Sequence, residues 1–122
     1  MALANAPVVV QGSRVDLGLG LVESSWLIVP GTSDYVTGGY AITATMLGYS
    51  LLQQAWVSEA NATATGYEAF CVFALAQLAG SSMGETGYSQ FLFKVDVVTT
   101  GSQVGSGGNL AGCKWAVTVR GF

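Results

Sequence analysis

The chain has 122 residues, of which only 9% are charged: four cations (Arg14, Lys94, Lys114, Arg120) against seven acids, for a net charge of −3. Hydrophobic residues make up 51%, 17 residues are glycine, and histidine is absent. Plentiful apolar side chains exclude disorder, four scattered cations cannot neutralise a phosphate backbone, which excludes nucleic acid as a partner, and no catalytic or metal site can draw on histidine.

In chain order, residues 1–24 carry two short apolar patches, Val8–Val10 and Leu17–Val22, the second interrupted by glycines. Two placements fit them: an edge segment of the same sheet as the rest, or an arm lying across a neighbouring subunit. With no early Lys or Arg, and with Pro7 and Gln11 breaking the apolar stretch, the start does not read as an export signal. The longest apolar run, Ala69–Ala76, is far short of the roughly 20 residues a spanning helix needs, so no membrane is expected as a partner. A chain kept in a cytosol is expected to hold Cys71 and Cys113 as two buried free thiols rather than as a disulfide.

From residue 25 onward the pattern is β. Ser25–Val29 is an apolar run closed by Pro30-Gly31, and Leu51–Val57 alternates in part. Thr43 can cap one helical turn over Ala44–Leu47, with Gly48 taking the left-handed position after it. Tyr67–Leu78 reads as one long strand, followed by a Gly-rich turn and by Tyr88–Thr99, where Phe91, Phe93, Val95 and Val97 share one face. Together these two predict a long antiparallel hairpin. Residues 100–112 are too rich in glycine for a helix and read as an exposed loop, and Lys114–Arg120 alternates with Trp115, Val117 and Val119 on one side. The expected fold is all-β, an antiparallel β-sandwich or small barrel of six to eight strands with at most one short helical turn. Residues 1–24 form its arm or edge, and 25–122 its body. The core is expected on Trp26, Ile28, Ile42, Leu47, Phe70, Val72, Phe91, Phe93, Val95, Trp115, Val117 and Val119.

No catalytic constellation reads from the residue pattern. A nucleophile would need Lys94, Lys114 or a carboxylate as its base, and no motif places one. Glu59 and Glu68 flank a loop but read as solvent-facing acids. Neither a CxxC pair nor a calcium loop nor a P-loop is present, so no cofactor and no metal are expected. Asn61-Ala62-Thr63 matches a glycosylation sequon but reads as a polar turn, and Trp26, Trp56 and Trp115 read as core or interface anchors. A charge-poor exterior of this kind suits a subunit covered by neighbours.

The run Ser33–Thr43 (SDYVTGGYAIT), followed by Leu47-Gly48, resembles a Y-x-T-G-G pattern of small virion structural proteins of tailed bacteriophages. Asn109-Leu110-Ala111-Gly112 and the strand Trp115–Val119 extend the resemblance, which covers roughly residues 25–122. It implies a non-enzymatic capsid decoration, cement or minor head protein, made in the host cytoplasm and carried on the virion surface. Its implied partners are the major capsid protein and copies of itself, as a trimer or dimer. Tyr35, Gly38, Gly39, Tyr40, Leu47 and Gly48 then act as fold determinants, and the N-terminal Val8, Val9, Val10, Leu19 and Leu21 as the part facing the capsid or a neighbour. Two other functions fit the same β pattern: a carbohydrate-binding sandwich using Tyr35, Tyr40, Tyr67 and Tyr88, and a tail-tube or head–tail connector component.

Overall fold

A computed structural model describes residues 7–10, 13–80 and 86–122. The alternating segments pair into two antiparallel sheets with one apolar core between them. In the larger sheet, β1 (Val8–Val9) and β2 (Val15–Gly18) both lie along β3 (Leu21–Ile28). Next come β10 (Trp115–Gly121), β5 (Leu52–Ala60), β8 (Thr86–Tyr88) and β7 (Leu78–Gly80). The smaller sheet orders β4 (Tyr40–Thr43), β9 (Gln90–Val97) and β6 (Tyr67–Val72). The protein is an all-β sandwich, and the ten strands among the described residues exceed the expected six to eight because β1, β2, β7 and β8 are short edge pieces.

Alternation decides which face each central strand buries. Phe91, Phe93 and Val95 on β9 and Trp115, Val117 and Val119 on β10 are all buried, and Phe93 meets Trp115 edge-on with ring centroids 5.4 Å apart. Ile28, Ile42, Leu47 and Leu52 close the same core. On β6 the expectation was off by one position. Tyr67, Ala69 and Cys71 turn inward, while Phe70 and Val72 stand on the outer face, paired with Lys94 and Leu92. Trp26 packs on the core while remaining half-buried.

The long hairpin exists but changes sheets midway. β6 pairs β9 from Tyr67↔Val97 to Val72↔Leu92, then the chain makes a 3-10 turn at Leu75–Gln77, and β7 pairs β8 within the other sheet. Phe73 fills the crossing, stacked at 4.6 Å on Tyr88 and 5.9 Å from Phe91. Most of the Gly-rich connection expected between the arms lies at 81–85, outside the described residues. The turn predicted over Ala44–Leu47 is present as a 3-10 turn at Thr45–Leu47, with Gly48 left-handed at φ 78°. Thr43 Oγ1 accepts from the Met46 N–H at 3.3 Å, beside the formal cap at Ala44. Two further 3-10 turns, at Ala62–Gly66 and Leu75–Gln77, go beyond the single turn expected.

The 100–112 segment is not a free loop, since Val104 and Leu110 are buried in it. Its hold on the sandwich is the Tyr-x-Thr-Gly-Gly run. Thr37 N–H and Oγ1 both meet Ser106 Oγ, Gly38 N–H donates to Gln103 Oε1, and Gly107 N–H donates to the Tyr35 carbonyl. Tyr35 is fully buried and its hydroxyl accepts the Val95 N–H at 3.0 Å. Tyr40, also buried, donates to Asp34 Oδ1 at 2.5 Å while Asp34 Oδ2 accepts the Gly31 N–H. Gly39 sits at φ 101°, where a Cβ would lie 2.7 Å from the Phe93 carbonyl oxygen, so glycine is required there on both counts.

Candidate interaction surface

The exposed apolar residues are not scattered. Of the twelve large ones among the described residues, six (Val8, Val9, Val10, Val15, Leu17 and Leu19) fall between residues 8 and 19, on the edge that β1 and β2 form along β3. That edge is pinned to the sheet. Val10 N–H donates to the Ser25 carbonyl at 2.8 Å, and Ser13 Oγ donates back to the Val10 carbonyl and accepts the Ser25 N–H. The segment lies against its own sheet, and the boundary drawn after residue 24 falls inside β3. Residues 1–6 and 11–12 of the expected arm are outside the described residues.

β2 and β3 join through Leu19-Gly20, and both residues have positive φ (55° and 82°), as a two-residue hairpin turn of the I′ kind demands. Asn-Gly is the favoured pair at such a turn, because an L residue in the left-handed region costs roughly 1–2 kcal/mol. Here the position holds leucine, 99% exposed. Asp16 Oδ1 accepts the Gly18 N–H at 2.8 Å and stiffens the approach to the tip. Leu21, just past the turn, is half-buried. Of the five proposed contact residues, Val8, Val9, Val10 and Leu19 are therefore open to a partner, and Val15 and Leu17 join them.

The outward face of the larger sheet continues this surface. Arg120 Nε bonds Glu23 Oε1 at 2.7 Å, and its guanidinium lies 5.5 Å over the Trp56 ring, which is 39% exposed. Such a half-exposed ion pair contributes at most about 1 kcal/mol, but it presents a fixed Trp–Arg pair, residue types enriched where interfaces bind most tightly. Trp56 was expected as an anchor, whereas its pairing with Arg120 is set by cross-strand register (Thr118↔Trp56, Arg120↔Gln54) and has no local sequence signal. Beside it, a groove of about 240 Å³ is lined by Leu27, Ala60 and Ala116, with Glu59, Asn61 and Lys114 at its walls. Asn61 also fastens the start of β10, accepting the Lys114 N–H and donating to the Gly112 carbonyl.

Among the described residues no group of three His, Cys, Asp or Glu could hold a metal ion. Glu59 and Glu68 sit on strands of different sheets. Both cysteines are free, and burial pushes the Cys71 thiol up to about 12 and raises Cys113 as well, so neither is an activated thiolate. The tyrosines suggested as a sugar platform do not form one: Tyr35 and Tyr40 are buried, and Tyr67 and Tyr88 are half-buried on strands of different sheets. Among the described residues no helix is long and apolar enough to cross a membrane. Neither a family model, a curated protein nor a solved structure matches the chain.

Proposed function

We propose that this chain is a non-enzymatic structural protein of a bacteriophage virion, a decoration or cement subunit that binds the capsid shell through its N-terminal edge. One observation carries the assembly part of this reading: among the described residues, half of the large exposed apolar side chains are gathered on a single pinned sheet edge between residues 8 and 19. Contiguous exposed apolar surface marks a site of association, and the 9% charge content leaves little else to keep that edge from a partner. The virion part rests on the resemblance of the Tyr35–Gly48 run to small phage head proteins. The mechanism is burial. A subunit bridging neighbouring capsomers adds contact area that must be broken before they separate, and by mass action it stabilises the assembled shell.

A density map of a particle carrying the chain tests both parts. The sandwich is expected on the outer shell, with Val8, Val9 and Val10 at a protein contact, and the triple substitution of these valines by serine is expected to empty those sites. Absence from the particle, density inside a tail tube, or unchanged occupancy of the triple variant would refute the proposal.

A further inference from the structure

We infer that the outward face of β5 carries a binding site for a neutral oligosaccharide, built from Gln53 and Gln54 at a recess and from Trp56 beside it. The site begins as a break in register. Arg120 lies opposite Gln54 but Gly121 lies opposite Leu52, so Gln53 is an extra residue on β5 with no partner on β10. A bulge of this kind re-aims side chains, and bulges gather at sites of function. Strict alternation would send one of two adjacent residues toward the core. Here both amides are exposed, while Leu52 before them is buried.

Each amide is held by one end and presents the other. Gln53 Nε2 donates to the Thr86 carbonyl at 3.3 Å, which leaves its Oε1 as an acceptor. Gln54 Oε1 accepts from Arg120 Nη1 at 3.4 Å, which leaves its NH2 group as a donor. Both orientations follow from the partners, since a carbonyl only accepts and a guanidinium only donates. Adjacent positions therefore offer one acceptor and one donor, with neither taken by another described residue. A hydroxyl group is donor and acceptor at once, so neighbouring hydroxyls on one ring can engage the two amides together.

An open recess of about 310 Å³ lies over these amides, with Leu78, Thr86 and Tyr88 among its walls, and none of its described walls is charged. The cation beside it, Arg120, is already paired with Glu23, so a phosphate or carboxylate finds no free partner there. Amides and hydroxyls suit no purely apolar ligand. β8 pairs β5 at Leu52↔Tyr88, so β5 has no open edge at this point for an extended peptide to join. A neutral polyhydroxylated ligand fits what remains. Trp56 supplies its apolar contact. It stands two positions from Gln54 on the same face, about 7 Å away at roughly 3.3 Å per residue. The Arg120 guanidinium over its ring holds the indole in place while leaving it exposed. The C–H face of one sugar ring packs on such an aromatic while the hydroxyls of the next reach the amides. Of the four tyrosines considered for sugar binding, only Tyr88 lines this recess. The inference stands apart from the virion reading, because β3 and β10 lie between this site and the N-terminal edge.

An array of neutral, sialylated and sulfated oligosaccharides, with unglycosylated peptides as further spots, tests the inference on the full chain. Neutral oligosaccharides are expected to be retained, and the best of them to titrate with a Kd of about 1 mM or tighter. That titration is expected to shift the side-chain NH2 signals of Gln53 and Gln54 and the indole N–H signal of Trp56. Gln53→Ala, Gln54→Ala and Trp56→Ala alter exposed side chains, and each is expected to keep the backbone amide spectrum of a folded chain while weakening binding about tenfold. The triple Val8, Val9 and Val10 to serine variant is expected to bind the sugar as the wild type does. Retention of no neutral oligosaccharide, retention of charged glycans or peptides alone, folded variants of Gln54 and Trp56 that bind undiminished, or loss of sugar binding in the valine variant would overturn the inference. A chain that bound the sugar yet never entered a virion would lose the proposed function and keep this site.

Discussion

Replacing Tyr35 by phenylalanine removes one oxygen atom from the middle of the Tyr-x-Thr-Gly-Gly run and leaves the ring in place. β4 covers β9 only along Gln90–Phe93, and beyond it no strand continues on that side, only the isolated bridge Asp96↔Gln103, which leaves the Val95 N–H to a side-chain acceptor. The Tyr35 hydroxyl stands in for that strand by accepting the Val95 N–H at 3.0 Å, and the Val95 carbonyl in turn accepts from Val104 N–H. Because Tyr35 and Val95 are both fully buried, no water replaces the lost acceptor. A buried donor left without a partner costs roughly 1–3 kcal/mol. Phenylalanine conserves the edge-on contact with Tyr40, at 5.4 Å, so no cavity adds to this. We expect a loss of about 2 kcal/mol in urea unfolding, equivalent to a fall in Tm of roughly 6–10 °C for a domain of this size. Exchange of the Val95 amide should accelerate more than that of its neighbours. A loss below about 0.5 kcal/mol with Val95 still protected would refute the role given to this hydroxyl.

Leu19→Asn should stabilise the dilute chain by about 1 kcal/mol, because asparagine tolerates the left-handed turn and no packing is lost; destabilisation would show that Leu19 packs within its own copy. Gly38→Ala and Gly39→Ala should separate strain from collision. Both positions have φ above 100°, but a Cβ at Gly38 meets nothing within 4 Å, so the first should cost roughly 1–2 kcal/mol and the second distinctly more. Burial, and for Tyr40 also the Asp34 carboxylate, raises the Tyr35 and Tyr40 hydroxyls above their ordinary 10.0, and burial raises Cys71 from 9.0 to about 12. The native state therefore holds these protons after the unfolded chain has released them. Their stability contribution is complete below about pH 9 and is lost as pH rises above it, so a urea midpoint flat from pH 8 to 11 would contradict the burial described. Cys113 should react with an aromatic disulfide at pH 8 far more slowly than the half-buried Cys71, and immediate labelling of Cys113 would refute its place in the core.

Some of this architecture is legible in the sequence and some is not, for identifiable reasons. β9 and β10 are readable because each buries three large residues at period two, with the outward positions holding Leu92, Lys94 and Asp96 on β9 and Ala116, Thr118 and Arg120 on β10. β6 misleads because Phe70 and Val72 face out, while the smaller Ala69 and Cys71 face the core, paired with Val95 and Phe93 on β9. The change of sheet after Val72 has no glycine or proline to announce it, only Phe73 and two alanines around Leu75. Glycine content made residues 100–112 look loose, whereas the buried Val104 and Leu110 tie them down. On the candidate surface, apolar content pointed to Val8–Val10, Leu19 and Leu21. The strain at Leu19 and the Trp56–Arg120 stack arise from backbone torsion and cross-strand register, which no local pattern records.

The place of β10 bears on how the molecule comes into being. Its seven residues separate β3 from β5, and Ser25 reaches Thr118 across 93 positions of chain. While the chain emerges from a ribosome, β3 and β5 are both made yet cannot be joined, and the larger sheet stays open through its middle until residues 115–121 are free. Contacts this distant in sequence make for slow closure, and the waiting strands expose edges that can pair with those of other nascent copies. Crowded synthesis of many copies at once is thus the stage at which this fold is most vulnerable, and loss of a few residues near position 120 would remove the centre of the sheet rather than fray its end.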